Sequence, residues 1–186
     1  MSGKESEETG GEKPRPGRLD MNWLTESLAV GGSFPTAAAS RLTRDHRVTH
    51  VVDLRADACD EEIALARHGI RLLHLPTEDA CAITRDQLFA GVKWVGDALQ
   101  AGRRALIHCQ HGVGRGPLLA LCVLVSRGMA PLQAMELAKE ARAAIAPSPA
   151  QLHAFIAYAR HQRPPTARWL VPSFGALAAI TYQTRR

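Results

Sequence analysis

The most constraining feature of this sequence is a regular alternation of short apolar runs with segments of helical periodicity. The runs are three to six residues long, which suits buried strands better than helices. Strands that alternate with helices are typical of α/β proteins, in which neighbouring strands run in parallel and helices cover the sheet. We therefore expect a three-layer α/β fold with a central, mostly parallel sheet of four to five strands flanked by helices. The runs are Leu28–Val30, Val51–Leu54, Ile70–Leu75 and Ala105–Ile107.

Two helices carry signals at their starts as well as along their faces. The segment from Thr84 to Gln100 begins with the capping-box pair Thr84 and Gln87, and a glycine lies just past its end. Ser148 and Gln151 repeat the capping box before a second amphipathic segment. The apolar positions that share one face are Leu88, Val92, Val95 and Leu99 in the first segment, and Leu152, Phe155, Ile156 and Ala159 in the second. We expect a helix at each place.

The two ends of the chain differ from the segment between them. Residues 1–20 are rich in Gly, Glu, Lys and Pro and have almost no apolar side chains, so we expect a disordered tail there. The preceding helix must end at Arg163–Pro165, because proline lacks an N–H donor and disfavours helical backbone in the residue before it. We assign residues 21–163 to one folded domain. Residues 164–186 form an extension whose apolar side chains either pack on that domain, as we expect, or dock a partner.

Composition and charge narrow the class of protein. Of the 186 residues, 46% are hydrophobic and 22% are charged, which is ordinary for a single globular domain. The longest strongly apolar stretch, Leu118–Val125, is far shorter than a membrane span, and the N-terminus is charged, so we expect a cytoplasmic protein without a membrane span. The four cysteines contain no CxxC pair, which favours reduced thiols. The net charge of +5 is dispersed along the chain, so we expect an anionic substrate and no nucleic-acid partner.

One loop combines the features of an anion site. Residues 108–117, HCQHGVGRGP, lie between the strand that ends at Ile107 and an apolar helical stretch that begins at Leu118. Such a junction points backbone N–H groups and the positive end of a helix dipole at one spot. The three glycines would let the backbone curl and approach a bound phosphate, and Pro117 suits a first helical turn. The loop therefore predicts a phosphate site.

Cys109 and Arg115 add reactive chemistry to that loop. A cysteine surrounded by N–H dipoles and an arginine is stabilised as a thiolate, which is a competent nucleophile at neutral pH. The planar guanidinium of Arg115 matches two phosphoryl oxygens and can hold them as charge shifts in the transition state. The loop is thus predicted to attack the phosphate that it binds.

The motif His-Cys-x5-Arg after a strand resembles the protein tyrosine phosphatase superfamily, and the wider pattern is most similar to its compact dual-specificity branch. The resemblance covers roughly Asn22 to Arg160 and would make residues 21–163 a catalytic domain with the phosphotyrosine phosphatase-like fold. It implies hydrolysis of phosphomonoesters, namely phosphotyrosine and also phosphoserine or phosphothreonine, in two steps through a phosphocysteine. It implies no metal and no cofactor.

The resemblance also assigns roles by position. Cys109 would be the nucleophile, and His108 would orient the loop. The general acid would be Asp79, which follows a predicted strand about 30 positions before Cys109, with its neighbour Glu78 as the rival. The phosphate would be bound by the backbone amides of Gln110, His111, Gly112, Val113 and Gly114 and by the side chain of Arg115.

One position departs from the family pattern. Members usually carry Ser or Thr directly after the arginine, where the hydroxyl helps the thiolate to leave, whereas this chain has Gly116. The run from Gly114 to Pro117 is similar to the Gly-Arg-Ala-Pro of the phosphatase-of-regenerating-liver branch, which implies slow dephosphorylation. The alternatives are therefore a slow or inactive phospho-ligand binder, and a phosphatase for a non-protein substrate such as a phosphoinositide or an RNA 5′-phosphate.

Other interpretations of the loop are less economical. The cluster of His108, Cys109 and His111 lacks a fourth ligand at a spacing typical of zinc sites. A rhodanese-type sulfurtransferase also uses a loop cysteine near an arginine, but the position of Asp79 favours the phosphatase. His111 is equally compatible with substrate contact and with a plain polar loop.

Four residues outside the loop have competing explanations. Arg55 either touches substrate or coats the surface, and we favour the surface. Gln151 either positions water or caps a helix, and the cap explains it more simply. Cys81 is a candidate redox partner of Cys109, and Cys122 is expected to be a buried small side chain.

Overall fold

A five-stranded sheet forms the middle layer of the computed structural model, which describes residues 19–182. The strands are β1 (Met21–Trp23), β2 (Leu28–Gly31), β3 (Val48–Arg55), β4 (Arg71–Thr77) and β5 (Arg104–His108). Their order in the sheet is β1-β2-β5-β3-β4, and all neighbours are parallel except β1, which pairs antiparallel with β2 at the edge. The predicted α/β fold with a mostly parallel sheet of four to five strands is confirmed, although the sequence analysis did not find β1.

Helices cover both faces of the sheet and produce three layers. They are α1 (Ala39–His46), α2 (Glu62–Arg67), α3 (Arg85–Gln100), α4 (Arg115–Ser126), α5 (Pro131–Ala141), α6 (Pro149–Gln162) and α7 (Phe174–Tyr182). Successive strand residues alternate between two cores, as the period of two requires. Val30 and Ile107 face the larger core formed with α3 to α7, whereas Ala29 and Leu106 face a smaller core formed with α1 and α2.

The two predicted helix starts are confirmed. Thr84 caps α3 by accepting a hydrogen bond from the backbone N–H of Gln87, and the four predicted apolar positions of this helix are buried. Ser148 caps α6 with a complete capping box, because the side chain of Gln151 also accepts from the Ser148 backbone. In α3 the reciprocal half is absent, since the Gln87 side chain instead accepts from the Thr84 hydroxyl and donates to Pro76 O.

Helix α4 is the central helix of the larger core. Every residue from Arg115 to Val125 is buried, and the helix contacts β5, α3, α5 and α6. Cys122 lies on it fully buried, as expected, and burial raises the pKa of its thiol well above the ordinary value. Because β5 lies between β2 and β3, the loop from β5 to α4 emerges at the middle of the sheet.

The ends of the described chain are packed on this domain. Leu19 is buried in the smaller core, and Asp20 pairs with Arg142, so the folded chain includes the last two residues of the predicted tail. Residues 1–18 of that tail lie outside the described residues. In the extension, α7 contacts α5 and α6, and Leu177 is fully buried in the larger core. No helix within residues 19–182 is long and apolar enough to cross a bilayer.

Candidate active site

The predicted loop lies at the carboxyl edge of the parallel strands, where open α/β sheets bind their ligands. We call residues 109–115 the phosphate cradle. Cys109 directly follows the central strand β5 and is 3% exposed, and α4 begins at Arg115. The strand, the loop and the helix therefore occur in the predicted order, with the thiol at the base of a cleft of about 230 Å³.

Four carbonyl groups of the cradle, those of residues 110–113, accept hydrogen bonds from residues outside it. Gln110 O accepts from Ser33 N at 3.0 Å, and Val113 O accepts from Ala146 N at 2.9 Å. The carbonyls of His111 and Gly112 accept from the side chain of Arg142 at 2.8 and 3.0 Å. Within the described chain, the backbone N–H groups of residues 110–114 donate to no protein acceptor. Five donors are thus left for a ligand, which is the arrangement of an anion-binding nest.

Arg142 holds the outer side of the cradle through all five of its N–H donors. Besides the two cradle carbonyls, it binds both carboxylate oxygens of Asp20, at 2.6 and 2.9 Å, and the side-chain oxygen of Asn22 at 2.9 Å. These hydrogen bonds from Arg142 lower the pKa of Asp20. We call Arg142, Asp20 and Asn22 the clasp. The sequence analysis missed the clasp, because Arg142 lies 30 positions along the chain from Gly112 and 122 positions from Asp20.

The three loop glycines were expected to let the backbone curl around a phosphate, but the structure gives a different reason for each of them. Gly112 has a left-handed φ of +64°, and a Cβ there would lie 2.5 Å from Gly31 O, so both conformation and space require glycine. Gly114 leaves room for the side chain of Gln151. Gly116 lies inside α4, and the nearest atoms to a built Cβ are 3.4 Å away, which is ordinary contact.

Arg115 reaches across the cleft to the end of β4. Its Nη1 donates to Thr77 O at 2.8 Å, and its Nη2 lies 3.2 Å from Asp79 Oδ1. Its Nε is shielded from solvent and has no hydrogen-bond partner among the described residues. A buried N–H without an acceptor is costly, so this atom identifies a position where a ligand oxygen would be stabilised.

The segment 78–84, which we call the acid loop, lies between β4 and α3 and brings Asp79 to the cleft. Asp79 lines the cleft, whereas Glu78, the rival from the sequence, does not. The middle of the loop is held by the cap of α6: Ser148 Oγ donates to Ala80 O at 2.6 Å, and Gln151 Nε2 donates to Cys81 O at 2.9 Å. Gln151 therefore caps the helix, as we favoured, and also joins the acid loop to α6.

The remaining walls of the cleft are small and neutral. His111 is exposed at its rim, and Val113, Ala80 and Ala146 line its sides. Among the described lining residues there is no phenyl, phenol or indole ring. The cleft therefore has a cationic base rich in backbone amides, and its entrance has no aromatic side chain that would select one type of substrate side chain.

Behind the cradle, His108 is fixed by a buried charged network. Its Nε2 lies 2.8 Å from Asp60 Oδ2 and 3.9 Å from Asp53 Oδ1, and its Nδ1 is 3.4 Å from Cys109 O. The surface position expected for Arg55 is wrong: this side chain is 9% exposed and bridges Asp53, at 2.7 Å, and Asp60, at 2.6 Å. Two buried carboxylates need a cation nearby, which is why this arginine turns inward.

The same network bears on metal binding. Burial opposes ionisation of Asp53, but hydrogen bonds from Arg55 and the nearby charges outweigh it, so the pKa of Asp53 lies below its ordinary value. Two groups of three ligand atoms in the described chain are close enough to share an ion, and Asp53 belongs to both. The guanidinium of Arg55 already contacts Asp53 and Asp60, which neutralises the carboxylates that such an ion would need. The groups are Asp53, Cys59 and His74, and Asp53, Asp60 and His108.

The family of this chain follows from a match over most of its length. The family model of the dual specificity phosphatase catalytic domain matches residues 31–161, and the chain belongs to this family. The probable protein tyrosine phosphatase type IVA A of Dictyostelium discoideum is 30% identical over 104 residues, which cover 53% of this chain and 60% of that relative. The chain thus matches less than two thirds of the relative's own length.

Solved structures share the fold at low identity. PTPMT1 in complex with PI(5)P has a TM-score of 0.72 and 19% identity over 77% of this chain and 96% of that one. Tk-PTP in its active form has a TM-score of 0.69 and 22% identity over 76% and 97% of the two chains. A mouse putative dual specificity phosphatase complexed with zinc tungstate has a TM-score of 0.67 and 18% identity over 83% and 94%.

Proposed function

We propose that this protein is a cysteine-dependent phosphatase that hydrolyses phosphomonoesters through a phosphocysteine on Cys109. The observation that carries the proposal is a set of six donors, the five N–H groups of residues 110–114 and the Nε of Arg115, which have no acceptor among the described residues and lie on the loop that borders the cleft with Cys109. These donors match the oxygens of a phosphoryl group, and they are fixed before the ligand arrives. Membership of the dual specificity phosphatase family supports the same conclusion.

The first half of the reaction transfers the phosphoryl group to sulfur. The Cys109 thiolate attacks phosphorus in line, a new S–P bond forms, and the P–O bond to the leaving group breaks. The cradle amides and Arg115 hold the other three oxygens as their charge shifts. Asp79, which lines the cleft, donates a proton to the leaving oxygen.

The second half returns the enzyme to its starting state. The Asp79 carboxylate accepts a proton from water, the water oxygen attacks phosphorus, and the S–P bond breaks to release phosphate and the thiolate. Gly116 provides no hydroxyl to assist the departing thiolate, so we propose that this half is the slower one. The proposal includes a cytoplasmic location, since the nucleophile must remain reduced.

We propose phosphotyrosine as the main substrate, with phosphoserine and phosphothreonine accepted as well. The support is the cleft itself, whose small neutral walls leave room for side chains of different size. Phosphoinositides are the alternative, because a structural neighbour at a TM-score of 0.72 was solved with PI(5)P. A panel of phosphopeptides and soluble phosphoinositides separates the two classes.

The mechanism is tested with 4-nitrophenyl phosphate and the Cys109→Ser variant. We expect hydrolysis to fall below detection while vanadate still binds, because the cradle amides and Arg115 remain. The matched control is Cys81→Ser, which replaces an exposed thiol in the acid loop and should keep near wild-type turnover. Hydrolysis by Cys109→Ser at the wild-type rate would contradict the cysteine mechanism.

Selective alkylation provides a second test of the thiolate. At pH 6, iodoacetate should modify Cys109 faster than the other three cysteines, and vanadate should protect it. Burial raises the pKa of the Cys59 and Cys122 thiols, so both should react slowly. Equal rates at all four positions, measured by peptide mass mapping, would show that the cradle does not activate its cysteine.

A further inference from the structure

A second depression of about 380 Å³ lies between α3 and α6. We call it the arginine groove. Its floor is apolar, and cationic or titratable side chains stand around it. The floor contains Ile83, Leu88, Phe89 and Ala154, and the rim contains Arg85, Arg160 and His161.

The groove lies further along helix α6 than the catalytic cleft does. Gln151 lines the cleft, and Ala154, Tyr158 and His161 follow it at spacings of three and four residues, which places all four on one face of the helix. On the other side, Ile83 belongs to the acid loop and also lines the groove. The acid loop is joined to the start of α6 by the hydrogen bonds of Ser148 and Gln151, so a peptide reaches the groove from the cleft by crossing the backbone of Ala80 and Cys81.

The charge of the groove is unbalanced. None of its lining residues is acidic, and neither Arg85 nor Arg160 forms an ion pair with any residue between 19 and 182. The guanidinium of Arg85 lies 5.6 Å from the centre of the Phe89 ring, and the His161 ring meets the same phenyl ring edge-on at 5.1 Å. The apolar floor and the cations are thus parts of one surface, which suits a ligand with an apolar group and a carboxylate.

We propose that the arginine groove binds the peptide chain of a phosphoprotein substrate that carries an apolar residue and then an acidic residue on one side of the phosphorylated residue. This inference rests on the proposed phosphatase function and specifies its substrate. An α-helix rises ~1.5 Å per residue, so His161 lies about 15 Å along α6 from Gln151. An extended peptide advances ~3.3 Å per residue, which places the apolar residue about two or three positions, and the acidic residue about four or five, from the phosphorylated one.

The shape of the groove favours a peptide over a lipid surface. A membrane is flat on this scale and would contact protruding cations, whereas here the apolar floor is recessed between two helices. Side chains from a single extended strand can enter such a recess one after another.

The test compares matched phosphotyrosine peptides that differ only at the predicted positions. The first set carries Leu at the apolar position and Glu at the acidic position. In the second set Ala replaces the Glu, and in the third set Lys replaces it. Each set is made in two versions, with these residues either before or after the phosphotyrosine. In one of the two versions, we expect the wild-type kcat/KM to be about fivefold higher for the Glu peptide than for the Ala peptide. This ratio corresponds to one solvated ion pair of about 1 kcal/mol. Arg160→Glu should remove the preference and favour Lys, because it reverses the charge at the rim.

Arg67→Glu is the matched control, since it reverses an exposed charge on α2, which packs on the opposite face of the sheet. It should leave the peptide preference unchanged. Arg160→Glu should not alter kcat/KM for 4-nitrophenyl phosphate, which is too small to reach the groove. Equal kcat/KM for all peptides in the wild-type protein would overturn the inference while the proposed function stands.

Peptide binding to the groove can be measured even if the protein does not turn over these peptides. Fluorescence anisotropy of the same labelled peptides with Cys109→Ser should show the same order of affinity, Glu above Ala above Lys. If neither 4-nitrophenyl phosphate nor any peptide is hydrolysed, the proposed function fails, and this binding order alone supports or overturns the groove. If Arg160→Glu weakens only the hydrolysis of phosphoinositide in vesicles and not of peptides, the groove faces lipid and the inference is wrong.

Discussion

The phosphate cradle and the acid loop face each other across one cleft but are fixed to the fold in different ways. The cradle lies between β5 and α4, Cys109 is 3% exposed, and the outward carbonyls are bound by backbone and by Arg142. The acid loop lies at the surface, and the side chain of Asp79 is 83% exposed. Two side-chain hydrogen bonds from the start of α6 hold the middle of that loop.

This difference matches what each region has to do. The three oxygens that remain on phosphorus keep nearly the same positions through both half-reactions, so their donors work best when fixed in advance. The proton donor must change its protonation state twice and must admit leaving groups of different shape, which a loop at the surface allows. Changes in the cradle should therefore affect every substrate alike, whereas changes in the acid loop should depend on the leaving group.

The largest effect should come from Arg115→Lys. Lysine keeps the charge but loses the planar fork and with it the simultaneous contacts to a phosphoryl group and to Thr77 O. We expect kcat/KM to fall about 10³-fold for aryl phosphates of any leaving group, and vanadate inhibition to weaken in parallel.

Arg127→Lys provides the control for this change. It makes the same replacement at an exposed site just past the end of α4 and should be neutral. A loss of less than tenfold in Arg115→Lys would show that charge alone, without the fork, suffices in this cradle.

Next in size is Asp79→Asn, which removes the proposed proton donor but keeps the shape of the side chain. For phenyl phosphate, whose leaving group needs a proton, we expect a loss of about 10²-fold in kcat/KM. For 4-nitrophenyl phosphate the loss should be several times smaller.

The neighbouring acid is the control, measured as the slope of rate against leaving-group pKa. Glu78→Gln should keep the wild-type slope, because Glu78 does not line the cleft. If Glu78→Gln steepens that slope and Asp79→Asn does not, the general acid is Glu78.

Structural features that depend on a short stretch of sequence could be predicted. The four longer strands, the helix caps at Thr84 and Ser148, and the loop from β5 to α4 each show a pattern within a short stretch of sequence, and each is where the sequence analysis expected it. The structure also places Asp79 within 3.2 Å of Arg115, whereas its role as the general acid stays a prediction. In these cases local pattern and fold agree.

Features formed by distant residues were not predictable. Arg142 looks like any surface arginine until the fold brings it to the cradle and to Asp20, which is 122 positions away. Arg55 was wrongly expected at the surface, because nothing near it in sequence reveals that Asp53 and Asp60 converge behind His108. The sheet edge β1 is three residues long, too short to show a period.

A smaller effect should follow from Arg142→Ala, which frees two cradle carbonyls. We expect kcat/KM and vanadate affinity to fall about tenfold, because the cradle amides lose part of their preorganisation. Arg142→Lys should recover part of both, since it can bind one carbonyl. If the melting temperature falls while vanadate inhibition of the folded protein is unchanged, Arg142 stabilises the fold without positioning the cradle.

The clasp should also be visible in the pH dependence of stability. Arg142 lowers the pKa of Asp20 in the folded state, so the ion pair contributes stability above the ordinary carboxyl pKa and loses it as pH falls through the lowered value. The carboxylate is half exposed, so we expect at most about 1 kcal/mol. Asp20→Asn should therefore melt lower than wild type at pH 7, and this difference should shrink as the pH is lowered towards 2, whereas a constant difference across this range would contradict the ion pair.

The smallest change tests whether the missing hydroxyl limits turnover. Gly116 has an ordinary helical position in α4 with room for a Cβ, so Gly116→Ser should fold without strain. A hydroxyl there should assist departure of the thiolate by about one hydrogen bond, which corresponds to roughly a threefold to tenfold faster second half-reaction. Stopped-flow measurement with 4-nitrophenyl phosphate should show a burst in the wild-type protein that shrinks in the serine variant.

Gly116→Ala separates the hydroxyl from the added Cβ. The alanine variant should keep the wild-type burst, because it fills the same space near Ile107 and Val30 but provides no donor. If serine and alanine both shrink the burst, the effect arises from packing against β5 or β2 and not from hydrogen bonding. If neither variant changes the burst or the steady-state rate, departure of the thiolate does not limit this protein, and the cradle amides alone stabilise the leaving sulfur.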